Sequence, residues 1–370
     1  MDICYCCDVV LDRHKASQEH IIPNACGGRL RSRRLLCAAC DSYFGAGCDA
    51  ALASQTNHWM SLLGIPRHRK PVRAIRGSTV AGELYDILPD GTPSRVRPSV
   101  IETQRGRATF YEIKANDEKQ FSQALGPIKR AFPALDVEAA LRTARRTTAY
   151  LTDAVTVETT IGGPDVFRAI AKIALEFYLH SGGDRSHITG LVPYVKGEKE
   201  LDIVWFHYPE PPVYRPAEKE VSHVIQVVGD PLEGIAYAYV ELFNCYNYIV
   251  RLSGDYDGAI LDTSYAFDLI AQRTLEQTPD LRLDREQLHA LFDHKDTRPF
   301  IAAKGAMDRV AGIAAQRQTS AEAKRIVRRV VDKLEHEART GTAITHARAV
   351  GYLAEALADF MFSRSNSHKD

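Results

Sequence analysis

Two closely spaced cysteine pairs near the N-terminus constrain the fold of this chain more than any other feature. The first pair is Cys4 and Cys7, and the second is Cys37 and Cys40. Seven of the eight cysteines in the 370 residues lie between Cys4 and Cys48. A two-residue spacing lets both thiolates of one turn reach the same tetrahedral ion, so the four cysteines are predicted to bind one structural Zn²⁺.

The first pair leaves an alternative open, because one turn can present either of two neighbouring thiols. Cys6 is therefore an alternative ligand, although Cys4 with Cys7 has the better spacing. Residues 8–36 separate the two pairs, and these 29 residues exceed the roughly 15 to 20 of a simple zinc ribbon. An additional structure is thus expected between the pairs, beginning with a strand at residues 17–22.

The overall composition is that of a folded protein. Hydrophobic residues make up 45% of the sequence and charged residues 25%. A length of 370 residues exceeds the usual single core, so two or three domains are expected. No apolar run approaches the ~20 residues that span a bilayer, and the N-terminus lacks the features of a signal peptide. These observations predict a cytoplasmic protein with no membrane partner.

The formal net charge is zero, but the charge is unevenly distributed. Residues 1–80 contain 11 Lys and Arg and 6 Asp and Glu, so their net charge is 11 − 6 = +5. The remaining residues contain 36 and 41, a net charge of −5. The basic excess coincides with the cysteine pairs and favours phosphate binding there.

An acid–histidine dipeptide, Glu19-His20, lies between the cysteine pairs. The order of Glu-His-Ile-Ile-Pro, Gly-Gly and Leu-Cys-x-x-Cys-Asp resembles the HNH endonucleases of the His-Me (ββα-metal) finger class, in the subgroup with a zinc-stabilised finger. The resemblance covers about residues 4–50. It implies a ββα-metal finger and an enzyme that hydrolyses phosphodiester bonds in DNA.

The resemblance also implies roles for four residues. By position, His20 is the general base and Glu19 is a ligand of a catalytic divalent ion, Mg²⁺ or Mn²⁺. Asp41 stands where the family usually has an Asn or His ligand, and an aspartate is able to hold either ion. Ser32 stands in place of the middle Asn of the family motif, and its side chain is shorter than the one that braces the loop around the base in relatives.

Hydrolysis of a phosphodiester requires these residue types, because an activated water needs a base and the developing negative charge needs a cation. Each assignment has a structural alternative. His20 is also compatible with a structural histidine, Glu19 with a residue that only orients the site, and Asp41 with a helix cap.

Four arginines precede the second cysteine pair, and bidentate guanidinium groups suit contacts with phosphates. They are Arg29, Arg31, Arg33 and Arg34. DNA is thus the predicted partner, and a solvated basic loop is the alternative.

The rest of the chain predicts an α+β fold, with a larger mixed region that contains an antiparallel sheet and a helical C-terminus. Strands are predicted at 72–75, 83–88, from 96 onward, and at 201–206, 221–228, 235–243 and 246–252. A helix or a pair of helices is predicted at 41–60, and further helices at 118–132, 137–149, 164–180 and 345–362. Thr319 and Glu322 form a capping-box pattern, which predicts a helix start. A basic linker is predicted at 66–71 and a frayed tail at 363–370.

Three domains are expected from these patterns: a nuclease domain at 1–65, a regulatory or target-binding α+β domain at 72–300, and a helical segment at 301–364. Five aromatic residues in the predicted strands are interpreted as core, with a base-stacking platform as the alternative. They are Tyr237, Tyr239, Phe243, Tyr246 and Tyr248.

The leading hypothesis is a metal-dependent HNH endonuclease whose remaining residues supply target selection, self-association or control by a partner protein. A second hypothesis is a zinc-ribbon nucleic-acid-binding protein with a decayed nuclease site, because Ser32 and Asp41 depart from the family pattern. A third hypothesis comes from fold-level analogy: the protein is an antiphage defence effector in which the C-terminal region controls cleavage by the nuclease domain.

Overall fold

The computed structural model describes residues 2–67, 71–145, 147, 150–151, 153–293 and 299–366. The strands are β1 (Glu19–His20), β2 (Arg31–Ser32), β3 (Ile75–Ser78), β4 (Leu84–Ile87), β5 (Pro93–Arg95), β6 (Ser99–Arg105), β7 (Ala108–Lys114), β8 (Val204–Phe206), β9 (Ser222–Asp230), β10 (Ile235–Leu242), β11 (Tyr246–Ser253), β12 (Leu261–Asp268) and β13 (Arg273–Thr274). The helices are α1 (Ala38–Ala46), α2 (Cys48–Leu62), α3 (Glu118–Ala131), α4 (Val137–Thr143), α5 (Pro164–His180), α6 (Val192–Val195), α7 (Arg285–Asp293), α8 (Pro299–Arg339) and α9 (His346–Asn366). Short 3₁₀ turns lie at Asn24–Cys26 and Arg185–Leu191.

The chain divides into two compact units that are discontinuous in sequence. Unit 1 comprises Met1–Val72 and Thr159–Arg317, and unit 2 comprises Arg73–Glu158 and Gln318–Asp370. The N-terminal segment with the cysteine pairs therefore shares its unit with residues far along the chain.

The centre of unit 1 is a six-stranded antiparallel sheet with the order β13-β12-β9-β10-β11-β8. Strands β9, β10 and β11 are joined by short turns and pair along most of their length. Nearly all of their residues are buried because the sheet is covered on both faces. On β10, Ala238 and Val240 belong to the core shared with α5, whereas Tyr237 and Tyr239 pack with Leu288 of α7.

Helix α5 is the structural link between this sheet and the N-terminal segment. Pro164 occupies its first turn after Gly163, and the chain turns away at Ser181 and Gly182, so the predicted helix at 164–180 is confirmed. The helix packs against α2 and against the sheet. Residues of the N-terminal segment, including Ile21, Leu36 and Phe44, belong to the same hydrophobic core as α5.

Unit 2 contains two small antiparallel sheets, β3-β4-β5 and β6-β7, together with α3, α4, α9 and the C-terminal part of α8. Gly91 has a φ of 82° in the turn between β4 and β5, a conformation that favours glycine. A turn at Pro89-Asp90-Gly91 thus joins these two strands.

The α+β class, the antiparallel sheet and the C-terminal helices are confirmed, and several local predictions need correction. The capping box is wrong, because Thr319 lies inside α8 and the Glu322 carboxylate pairs with Arg325 and Arg329 instead of capping. Helix α4 ends at Thr143, and strand β1 has only two of the six residues predicted. Strand β12 was not predicted.

The five aromatic residues for which a core and a base-stacking platform were the two interpretations are buried. Tyr237, Tyr239, Phe243, Tyr246 and Tyr248 are each exposed by 1% or less, so they form core and not a base-stacking surface.

Some predictions fall on residues that the structure does not describe. These are residues 68–70 of the predicted linker, 146, 148 and 149 of the predicted helix at 137–149, and 367–370 of the predicted tail. Among the described helices, none has the length and apolar character needed to cross a bilayer.

Candidate active site

The four predicted zinc ligands are brought together. The Sγ atoms of Cys4, Cys7, Cys37 and Cys40 all lie within 4.8 Å of one another, and the Sγ atoms of Cys7 and Cys37 are 3.7 Å apart. A tetrahedral ion with Zn–S bonds of about 2.3 Å requires sulfur–sulfur separations of about 3.8 Å. The four thiolates therefore fit one structural Zn²⁺, and Cys6 does not belong to the group.

Local backbone structure places each cysteine pair. In the first pair, the Asp8 N–H donates to the Cys4 carbonyl and the Cys4 N–H donates to the Val9 carbonyl, which closes a tight turn. In the second pair, Cys37 is the N-cap of α1 and Cys40 lies in its first turn. Unpaired N–H groups at a helix N-terminus favour negative charge, so this position stabilises thiolates.

The acid–histidine dipeptide forms strand β1, which pairs with β2 in a short antiparallel hairpin. Glu19 is opposite Ser32, and His20 is opposite Arg31. Because directly opposite residues project on the same side of a hairpin, Glu19 and Ser32 share one face and His20 and Arg31 share the other. Glu19 is 4% exposed and Ser32 is 7% exposed, whereas His20 is half-buried and Arg31 is exposed.

The two predicted ligands of the catalytic ion also meet. Asp41 lies in the first turn of α1, one residue after Cys40, and it is close enough to Glu19 to contribute to the raised pKa of that carboxyl group. The Ser17 hydroxyl donates to Oδ2 of Asp41. Two adjoining carboxyl groups must share a proton or a cation, so this pair is able to hold a divalent ion.

A buried lysine from α5 completes the polar cluster around Glu19. Lys172 is fully buried, and its Nζ lies 2.6 Å from Oε1 of Glu19, 3.3 Å from Oδ2 of Asp49 and 3.2 Å from Oε1 of Glu176. The Tyr5 hydroxyl donates to Oε1 of Glu176 at 2.9 Å. Lys172 thus joins side chains of β1, α2 and α5 in one buried polar cluster.

The electrostatics of this cluster follow from burial and from like charges. Burial and then the charge of Glu176 raise the pKa of Glu19 above its ordinary value, and the charge of Lys172 opposes this shift. Burial alone lowers the pKa of Lys172, but Glu176, Asp49 and Glu19 outweigh it and hold that pKa well above its ordinary value. Lys172 therefore remains charged at neutral pH and is the cation that the acidic side chains of Glu19, Asp49 and Glu176 surround.

The four arginines differ in their surroundings. The guanidinium of half-buried Arg29 is held by other protein groups, with Nη2 3.0 Å from Oε1 of Gln272 and 3.0 Å from the Pro66 carbonyl. Arg31, Arg33 and Arg34 are exposed. The Ser32 hydroxyl accepts from the Arg34 N–H at 3.2 Å, so it braces the chain just after β2.

Lys172 and Glu176 are candidate functional residues that the sequence analysis missed. They are four residues apart in a helix whose residues 169–178 are all buried. An oppositely charged i,i+4 pair within such an apolar helix signals a buried polar contact. The spacing of Lys172 and Glu176 is visible in the sequence, but it does not show that Glu19 is the partner of Lys172.

Comparisons with known proteins support the family resemblance. Residues 4–57 match the family model described as HNH endonuclease. No curated protein and no solved structure matches the chain. An HNH nuclease domain implies a nucleic-acid substrate. The segment that matches the HNH endonuclease family model thus contains the four clustered cysteines, which fit one zinc ion.

Proposed function

We propose that the protein is a metal-dependent endonuclease that hydrolyses phosphodiester bonds in DNA. The observation that carries this proposal is that Asp41 and Glu19 are close enough to interact electrostatically, next to His20 and inside the segment that matches the HNH family. The clustered cysteines brace the helix that supplies Asp41, since Cys37 and Cys40 lie at its start.

The residues have distinct roles in this proposal. His20 takes a proton from the attacking water as general base. Glu19 and Asp41 hold Mg²⁺ or Mn²⁺, which supplies positive charge to the scissile phosphate and the leaving oxygen when bound. Arg31 lies opposite His20 in the hairpin and is exposed, so it is placed to contact a phosphate beside the scissile one.

The test is plasmid cleavage by the wild-type protein and by His20→Ala in Mg²⁺ or Mn²⁺. Loss of a general base lowers the rate by about 10²- to 10⁴-fold. His14→Ala is the matched control, because His14 is an exposed histidine in the same segment. Zinc content and thermal unfolding should be the same in all three proteins. Equal cleavage by His20→Ala and wild type contradicts the role of His20.

A second candidate function is a nucleic-acid-binding protein with a decayed nuclease site. The ion pair between Glu19 and Lys172 favours it, because one oxygen of the presumed ligand is already occupied inside the protein. The absence of the family Asn at Ser32 points the same way. Wild-type protein that binds DNA but leaves plasmid intact across Mg²⁺, Mn²⁺ and Co²⁺ would select this alternative.

Gating of the nuclease by the remaining residues, as in an antiphage defence effector, is a further part of the proposal. Its motive is that the acidic groups that contact Lys172 in the cluster around Glu19 come from unit 1, so the described residues of unit 2 are left for another role. The test compares the whole chain with a variant that ends at Arg317 and replaces residues 73–158 by a flexible Gly/Ser linker. Faster cleavage by the shortened variant supports gating, and equal cleavage contradicts it.

A further inference from the structure

The part of α8 that belongs to unit 2, residues 318–339, exposes an apolar pair on its outer side. On the inner side of this segment, Ile326 is buried and Val330 is half-buried. Val327 and Val331, in contrast, are 49% and 44% exposed and lie one helical turn apart. Because valine is a weaker helix former than Ala, Lys or Glu, neither helix propensity nor burial within the chain accounts for this pair. It is therefore a candidate contact surface.

Charged residues surround the valine pair in a definite order along the helix. Lys324 and Arg328 lie toward its N-terminal end. Asp332 and Glu335 lie toward its C-terminal end. At about 100° of rotation per residue, all four project within roughly 100° of Val331 and on one side of it. All four are exposed, so one half of this surface is basic and the other half is acidic.

These four charges have few partners within their own chain. Within the described residues, Lys324, Arg328 and Asp332 form no ion pair. Glu335 lies 3.2 Å from Arg339, but both side chains are more than half exposed. An ion pair in water contributes little to stability and is easily exchanged for another. The charges are thus available to a partner.

The order of these residues is self-complementary, which is the property that a two-fold symmetric contact requires. If a second α8 lies antiparallel to the first, each residue faces one at the same distance on the other side of a common midpoint. Three favourable pairs then form: Lys324 with Glu335, Arg328 with Asp332, and Val327 with Val331. The midpoints of all three pairs fall between residues 329 and 330. A single two-fold axis therefore serves the apolar pair and both ion pairs.

We propose that this surface, the α8 stripe, pairs with the same surface of a second copy of the chain in an antiparallel dimer. The α8 stripe comprises Lys324, Val327, Arg328, Val331, Asp332 and Glu335. Charge complementarity selects the second copy as the partner, and it also selects the antiparallel direction, since a parallel pair would place like charges together. One helix face from each copy is a small interface, so association should be weak and should depend on protein concentration. Self-association goes beyond the proposed nuclease function and does not depend on it.

The test is sedimentation velocity of the whole chain over a wide range of protein concentration. An all-acidic variant combines Lys324→Glu with Arg328→Glu, and an all-basic variant combines Asp332→Lys with Glu335→Lys. Each variant should raise the dimer dissociation constant by about tenfold or more, because two-fold symmetry makes each new repulsion occur twice. The substituted positions are exposed, so circular dichroism should show unchanged helix content.

A mixture of the two variants gives the sharpest measurement. In a mixed pair the acidic stripe faces the basic one, so dimers should reappear although each variant alone dissociates. The control combines Arg97→Glu with Lys119→Glu, which changes the net charge by the same amount at exposed positions of unit 2 outside α8. This control should associate like the wild type.

Three outcomes overturn the proposal. A wild-type protein that remains monomeric at every concentration excludes the dimer. Dissociation constants unchanged in both variants, or no association in their mixture, exclude the α8 stripe as its interface. Anisotropy of a fluorescent oligonucleotide is measured with the same proteins. A monomeric wild type whose oligonucleotide binding is weakened in the all-acidic variant, and not in the control, would assign the stripe to nucleic acid in place of a second copy.

Discussion

Lys172 Nζ lies 2.6 Å from Oε1 of Glu19, and the two side chains are 0% and 4% exposed. The pair joins α5 to the strand that carries the predicted general base. A buried ammonium is tolerated only where anionic partners replace its lost hydration, and Asp49 and Glu176 supply the others. Glu19 and Asp49, in the segment that matches the HNH family, therefore depend on the ammonium group of Lys172, which lies outside that segment in sequence.

Replacing this lysine should strongly destabilise the protein. Lys172→Met leaves three buried acidic groups without their cation, so the free energy of unfolding should fall by about 3 to 5 kcal/mol. Urea denaturation followed by tryptophan fluorescence measures the change. Lys199→Met removes the same group from an exposed position and should change the unfolding free energy by less than about 0.5 kcal/mol. Equal stability of the two variants would show that the ion pair with Glu19 is not a stabilising contact.

Zinc content should depend on the four clustered cysteines and not on Cys6. Cys37→Ser removes one of four thiolates that fit a tetrahedral ion, so most of the zinc and the thermal stability should be lost. Cys6→Ser changes a neighbouring thiol outside the cluster and should retain one zinc per chain. Metal analysis of the purified proteins checks both. A zinc-free Cys6→Ser protein would mean that the first turn presents the other thiol.

Local sequence patterns correctly predicted those elements whose structure depends on interactions between residues close in sequence. Cys4 and Cys7 are close because one turn joins them, and α5 begins and ends at the Pro and Gly signals that predicted it. Strand β12 was missed because its polar and apolar residues do not alternate clearly, and it is held by its pairing with β9. Its stability comes from a partner strand that local periodicity does not reveal.

The contacts that complete the candidate site could not be derived in the same way. Lys172 is 153 residues from Glu19, and no spacing rule relates positions so far apart. The capping-box error has a related cause. Thr319 and Glu322 match a helix start, but the helix-forming residues before them continue the same helix, and Glu322 binds Arg325. Tertiary contacts override such short patterns.

Asp41 is expected to be a ligand of the catalytic ion. Asp41→Ala removes one of two adjoining carboxyl groups, so Mn²⁺ should bind more weakly by on the order of tenfold or more. Calorimetric titration of the zinc-loaded protein measures this affinity. Ser42→Ala is the control, since Ser42 is the next residue on α1 and is exposed. Unchanged Mn²⁺ affinity in Asp41→Ala would show that Asp41 is not a ligand of the ion.

A buried histidine should make the attachment of the HNH segment sensitive to acid. His223, on β9, is fully buried, with its Nε2 2.8 Å from the Cys26 carbonyl and its Nδ1 accepting from the Phe243 N–H at 3.3 Å. These contacts suit the neutral ring with its proton on Nε2, because protonation of Nδ1 would remove the acceptor for Phe243. Burial lowers the pKa of His223 to about 4.

Because the folded pKa lies below the unfolded value of about 6.5, the unfolded state binds more protons between these limits. The contribution of His223 is fully present above pH 6.5 and is lost as the pH falls toward 4, amounting to about 3 kcal/mol. Urea unfolding at several pH values should show this loss in wild type and a smaller one in His223→Gln. His58 and His207 also have pKa values lowered to about 4 by burial, so only the difference between the two proteins isolates His223. Parallel stability curves for wild type and variant would mean that the ring is not held neutral by its contacts with Cys26 and Phe243.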